Sequence, residues 1–211
     1  MKPLDLVTFD AQDYEPRSDD GAVRVWSTPA GDGLGLFHFA MPPDLEGLHD
    51  IDRLRAFYRR AAGGAGLGIV EVERRTLDGC AVVRTIMKAP QEPRGRTYLA
   101  SLTFPFRDFS YVWKVQCAER GITGMRDTVV FGALLANGTV TQDAANGVVG
   151  WLADPYDPTF AGPMCRNRSE AVEHDARFPE HPLSRARAVL GHLEQTVRVA
   201  PNVRGAAPFA R

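Results

Sequence analysis

TYLASLTFPFRDFSYVWKVQCAERGITGMRDTVVFGALL, residues Thr97–Leu135, is the stretch whose pattern decides the fold. Thr97–Phe104 carries aromatic, β-branched and small residues, and Pro105-Phe106-Arg107-Asp108 supplies a turn. Phe109, Tyr111, Trp113, Val115 and Cys117 then recur at period two, with Ser110, Lys114 and Gln116 on the opposite face. Gly121 and Gly124 end that strand. Thr123 is placed to cap a helix whose Met125, Val129, Phe131, Leu134 and Leu135 fall at helical spacing. Two strands, a tight turn and a helix laid back over them is the expectation.

Working outward, Ala22–Thr28 and Leu34–Met41 read as a hairpin around Pro29–Gly33, after an acidic, loop-like segment 1–20. Asp50 caps a helix to about Ala62, with Ile51, Leu54, Phe57, Tyr58 and Ala61 on its inner stripe. Gly68–Arg75 and Cys80–Ala89 alternate on either side of a Leu77-Asp78-Gly79 turn. Turns this short exclude parallel crossovers. The fold class is therefore α+β: a mostly antiparallel sheet of about six strands flanked by two long helices, with a mainly helical C-terminal extension.

The division follows composition: a segment 1–20, an α+β domain over 21–138, an extension over 139–199 and a tail over 200–211. Thr139–Gly150 is polar and small, like a linker, and Trp151–Pro163 is rich in aromatics and proline. Asn167 and Glu170 have capping-box spacing for a short helix, Ser169–Arg177. Pro182 suits the first position of a last helix whose inner side is Leu183, Ala186, Leu190, Leu193 and Val197. Residues 200–211 are expected to fray.

The element order over residues 22–136 resembles the Mog1/PsbP-like fold. The likeness is nearest in YVWKVQCAERGITGMRDTVVFGAL, residues 111–134. It implies an antiparallel sheet with packed helices and a binding or accessory role, since some members of that class bind a small GTPase and others a photosynthetic complex. It carries no catalytic residues across. DPYDP (154–158) and FPEHPLSR (178–185) are similar in character to segments of uncharacterised bacterial families.

The 211 residues are 44% hydrophobic and 24% charged, with a net charge of −1. That suits a soluble globular protein and gives no electrostatic reason for nucleic acid or an anionic membrane as a partner. The start of the chain has no apolar signal region, and no run is long enough to span a bilayer, so a cytoplasmic location is expected. Cys80, Cys117 and Cys165 are dispersed and odd in number, which argues against a disulfide framework. Composition and motifs point to no cofactor and leave the oligomeric state open.

Three constellations are candidates for chemistry. Trp151, Tyr156 and Phe160 have the composition of a recognition surface, because large amphipathic rings anchor interfaces; they equally suit docking of the extension onto the sheet. Arg166, Arg168, Arg185 and Arg187 would suit a carboxylate or phosphate clamp, unless they pair with neighbouring acids. Glu170 and His174, four apart, share a helix face as metal ligands on helices do, and the candidate metal set is His174, Asp175 and His181. A nucleophile would fall on Cys165 or Cys117, although Cys117 closes an inward strand stripe. Gly63–Gly68 follows a helix, where a phosphate loop would precede one. The leading expectation is a non-enzymatic binding or accessory protein engaging another protein. The alternatives are an enzyme, or a metal- or anion-binding protein, using the 166–187 cluster, and an immunity or chaperone partner of a secreted toxin.

Overall fold

The computed structural model describes residues 2–143, 147–162 and 164–210. Of the expected linker, Ala144 to Asn146 lie outside the described residues, as does Pro163 of the aromatic segment. In chain order the elements are β1 (Val7–Thr8), β2 (Glu15–Asp19), β3 (Val23–Ser27), β4 (Gly33–Phe39), α1 (Ile51–Gly64), β5 (Gly68–Leu77), β6 (Cys80–Pro90), β7 (Arg96–Pro105), β8 (Ser110–Ala118), α2 (Met125–Ala136), β9 (Thr141–Asp143), β10 (Gly147–Val149), α3 (Pro182–Thr196), β11 (Arg198–Val199) and α4 (Pro201–Arg204). Seven strands form one antiparallel sheet in the order β2-β3-β4-β8-β7-β6-β5.

The count is seven where about six were expected, because Glu15–Asp19, read as loop, pairs with β3 at the sheet edge. All five of its residues are exposed and three are charged, so no apolar alternation marks it. A charged edge strand resists pairing with other chains.

Period-two patterning fixes the two faces. Tyr111, Trp113, Val115 and Cys117 of β8, Leu34 and Leu36 of β4, and Tyr98, Ala100, Leu102 and Phe104 of β7 are buried on the inner face. The last helix covers it: Leu183, Ala186, Leu190 and Leu193 of α3 join the same cluster over β7 and β8. Pro182 holds the first position of α3, where its missing N–H costs no hydrogen bond. On the outer face α1 lies against β5, its Leu54 and Ala62 packed with Ile69, Val72 and Val83. Asp50 caps α1, accepting from Asp52 N at 3.1 Å and Arg53 N at 3.2 Å.

The helix expected to roof the strands, α2, does not. It packs against the turn Arg168–Glu170, and its buried residues are Arg126 and Val130, with Met125 and Leu135 exposed. A charge overrides the apolar periodicity. Arg126 is fully buried because it donates to Ser169 O at 2.6 Å, Ala171 O at 2.9 Å and Asp175 at 2.9 Å. Thr123 is not the cap; Gly124 is, at φ 75°, and its N–H donates to Glu119 at 2.6 Å.

The C-terminal extension is less helical than expected. It contains the β9–β10 hairpin, and 3-10 turns at Arg168–Glu170 and Val172–Arg177 stand in place of one short helix. The Asn167–Glu170 capping box is present. Residues 200–210 are packed down where fraying was expected: Ala200 N donates to Leu6 O at 2.8 Å, Val203 and Phe209 are buried, and Pro208 bridges to Phe106. No described helix is long and apolar enough to cross a membrane.

Candidate functional site

Between β3 and β6 the outer face of the sheet is left without a helical cover, and a trough of about 770 Å³ lies there. Register places its floor in rows. Phe37 of β4, Val112 of β8 and Thr103 of β7 stand side by side, with Val83 of β6 next in the row but under α1. The next row is Gly35, Lys114, Ser101 and Thr85, and the next Gly33, Gln116, Leu99 and Met87. Leu45 and Tyr58 form the wall beside α1, and Phe39 and Met41, 40% and 63% exposed, stand at the rim. The lining is mostly apolar with a polar middle row, and an open concavity that mixes apolar residues with a few polar groups is a candidate binding site.

Two features interrupt the apolar floor. Thr85 and Ser101 hydroxyls satisfy each other at 2.7 Å. Lys114 projects from the central strand with its ammonium 5.2 Å from the Phe37 ring centre, and it has no salt bridge or hydrogen bond to any described residue. Opposite the two long polar side chains of β8, Lys114 and Gln116, β4 carries Gly35 and Gly33. Neither glycine has a backbone angle that demands glycine. A Cβ at Gly33 would meet nothing within 4 Å, and one at Gly35 would stand 2.7 Å from the Phe37 ring.

The residues singled out for chemistry behave differently. Tyr156 is fastened to the sheet edge: its hydroxyl accepts from Val72 N at 2.6 Å and donates to Glu73 at 3.3 Å, and the Arg55 guanidinium lies 3.9 Å over its ring. Phe160 lies under Arg59 at 4.5 Å, and Arg59 forks onto Asp154 at 2.7 and 2.9 Å. Trp151 meets Phe131 of α2 edge-on at 5.2 Å. These rings hold the extension onto its own domain.

The four arginines are not gathered into a clamp. Arg185 binds Asp32, Ala118 O and Glu180 O. Arg168 donates to Gly150 O. Arg187 is shared between Glu71 at 2.6 Å, Asp175 at 3.0 Å and Glu170 O at 2.8 Å. Arg166 donates to Glu170 O at 3.3 Å and, with Arg187, lines a polar cavity of about 450 Å³ that also takes in Glu71, Glu73 and Tyr156. Of the neighbouring acids expected as partners, Asp175 pairs with Arg187, whereas the carboxylate that Arg185 holds is Asp32, far away in the sequence.

The metal set is likewise not assembled. Asp175 accepts from Arg126, Ser184 and Arg187. His181 Nδ1 accepts from Leu183 N at 3.2 Å and caps α3. Burial, helped by the Arg126 charge, pushes its imidazole down to about 4. Among the described residues no three His, Cys, Asp or Glu side chains converge as ligands. Burial also pushes the thiols of Cys117 and Cys165 up, away from the thiolate that nucleophilic attack needs.

Buried charges tie the extension to the sheet, and their sheet-side members Lys88, Glu71 and Arg84 were passed over in the sequence reading. Lys88 donates to Glu170 at 2.6 Å and Tyr98 donates to the other oxygen at 2.8 Å, all three inside the protein. Burial pushes the Tyr98 phenol well up, and the Glu170 charge adds to it. Glu71 lies between Arg84 and Arg187; burial pushes its carboxyl up, but the two cations outweigh that and hold it below its ordinary value. Lys88 could have been suspected, as one of only three lysines and placed on the inward register of β6.

No protein-family model and no curated protein sequence matches the chain. Among solved structures it is similar to the solution structure of cyanobacterial PsbP (CyanoP) from Synechocystis sp. PCC 6803, at 14% identity and a TM-score of 0.39, over 64% of this chain and 86% of that one. The likeness is distant and concerns the fold alone.

Proposed function

We propose that the protein is a non-enzymatic binding or accessory protein that engages another protein, and that the partner docks on the open outer face of the sheet. The observation that carries this reading is the apolar trough over β4, β8, β7 and β6, with Phe39 and Met41 exposed at its rim. The two other routes considered from sequence have less support. The aromatic residues of the extension are spent on internal contacts, and Glu170, Asp175 and Arg187 pair mostly with charges of the α+β domain. That leaves the sheet face as the large apolar surface with no internal occupant.

Affinity capture from the native host with the wild type and four variants tests the reading. Gly33→Trp and Met41→Glu alter the trough from positions where the fold has room, while Trp151→Ala and Arg168→Ala alter the extension. A partner held by the wild type and the extension variants but lost by both trough variants is the expected result. Capture indifferent to the trough variants and abolished by the extension variants overturns it.

A further inference from the structure

Resting on that reading of the open face, we propose that its occupant is an α-helix of the partner, carrying one Asp or Glu in the middle of its apolar side to pair with Lys114. The shape of the trough supplies the first half. Its floor spans four strands, β4 to β6, about 14 Å across at the usual interstrand spacing. From Gly33 to Phe39 it runs about 20 Å along the strands. A helix with its side chains is about 10–12 Å wide and rises about 1.5 Å per residue, so about 13 residues would fill this space. α1 already covers the neighbouring part of the same face, with Tyr58 facing the trough. A second helix beside it completes the layer, one of the arrangements by which α+β domains cover an apolar sheet face. A strand is a poorer occupant, because the trough lies over paired strands that have no free backbone groups to offer it.

Charge supplies the second half. Any apolar partner that covers this face also covers the Lys114 ammonium, which no described residue neutralises. Burying an unpaired ammonium is strongly unfavourable, so a partner that binds stably brings an anion to it. Asp44, exposed on the 41–45 rim, is the acidic side chain among the residues lining the trough, and it makes no salt bridge to Lys114. The two outward glycines of β4 clear the floor beside Lys114 and Gln116. Glycine inside a strand weakens it and often marks a place where another chain comes close.

The experiment places the photo-crosslinking residue p-benzoylphenylalanine at Met41 of the full chain in the native host and sequences the adduct. A synthetic peptide of the captured segment is then titrated against wild type and Lys114→Glu. The expected adduct is a protein segment with apolar residues at helical spacing and an acid within that stripe. Its peptide should become helical on binding and lose about 30-fold or more in affinity to Lys114→Glu. Replacing the peptide's acid by Lys should restore binding to that variant. A protein adduct that binds without helix formation, or whose affinity ignores the charge reversal, overturns the helix proposal and leaves the docking reading standing. A lipid adduct, or none to protein, overturns both.

Discussion

Arg185, in the first turn of α3, grips Asp32 in the turn between β3 and β4 with two parallel hydrogen bonds, Nε to Oδ2 at 2.7 Å and Nη2 to Oδ1 at 3.1 Å. The carboxylate side chain is completely buried, and Arg120 approaches it from the solvent side at 2.8 Å. The pair joins the last helix to the first hairpin of the sheet. It therefore fixes where α3 crosses the inner face, while the apolar stripe of α3 fixes only that it covers that face.

Removing one partner leaves a buried charge without compensation, which costs about 3–5 kcal/mol. Asp32→Ala should lower the unfolding free energy by about that amount in urea denaturation. Arg185→Met combined with Asp32→Leu should recover much of the loss, since an apolar pair can replace a buried ion pair. If the single variant lost less than about 1 kcal/mol, well under that range, α3 would not depend on this contact.

Gly68 shows a different kind of constraint. A Cβ there would lie 1.9 Å from the carbonyl oxygen of Met164, so the extension passes flush against the start of β5. Gly68→Ala must push the segment from Met164 to Arg166 away, and overpacking of this sort costs about 1–3 kcal/mol. Limited proteolysis should open first within that segment, and hydrogen exchange should rise at Ala153 N, which donates to Arg166 O. Unchanged protection at Ala153 would mean that the extension does not depend on this approach.

His181 sets a dependence on pH. Its folded value is held down to about 4, mainly by burial and secondarily by Arg126, against an ordinary value of 6.5. Between those two values the unfolded chain binds more protons than the folded one, so stability falls as pH drops from about 6.5 toward 4. Asn can still cap α3 but cannot titrate. His181→Asn should therefore show a smaller loss of urea midpoint between pH 7 and pH 5 than the wild type. Equal losses in both proteins would place the titrating group elsewhere.

How much of this was legible in the sequence depended on whether a feature was written in apolar periodicity. The meander β5–β8, the Asp50 cap, the Pro182 start and the stripe of α3 were, because burial selects the residue types that the pattern counts. The edge strand Glu15–Asp19 was not, since neither of its faces is buried. α2 was read on the wrong face because Arg126, a residue that periodicity scores as polar, is drawn inside by Asp175 and two carbonyls from 45 or so residues onward. For the same reason the His174–Asp175–His181 set, suggested by the Glu170–His174 spacing beside it, has no metal-like geometry: its acid is taken by Arg126 and Arg187. The trough was half visible. Lys114 and Gln116 were assigned to the face opposite the buried stripe, but the uncovered state of that face follows from α2 packing elsewhere, which no local pattern states.

Gly33 separates what the strand needs from what the trough needs. Its side-chain direction opens onto the trough floor beside Gln116, and a Cβ there would have no neighbour within 4 Å. Its backbone is ordinary strand, so a β-branched residue fits without strain and removes the entropy that glycine loses on folding. Gly33→Val should therefore raise the unfolding free energy by about 0.5–1 kcal/mol. Gly35→Val, two residues on, should gain less, because the half-buried Phe37 ring, 2.7 Å from its Cβ, must swing aside. Urea denaturation of both variants distinguishes the cases. A gain at position 33 would mean that glycine there is not maintained by folding, as expected if it keeps the floor clear for another chain; a loss would return it to the architecture of the sheet.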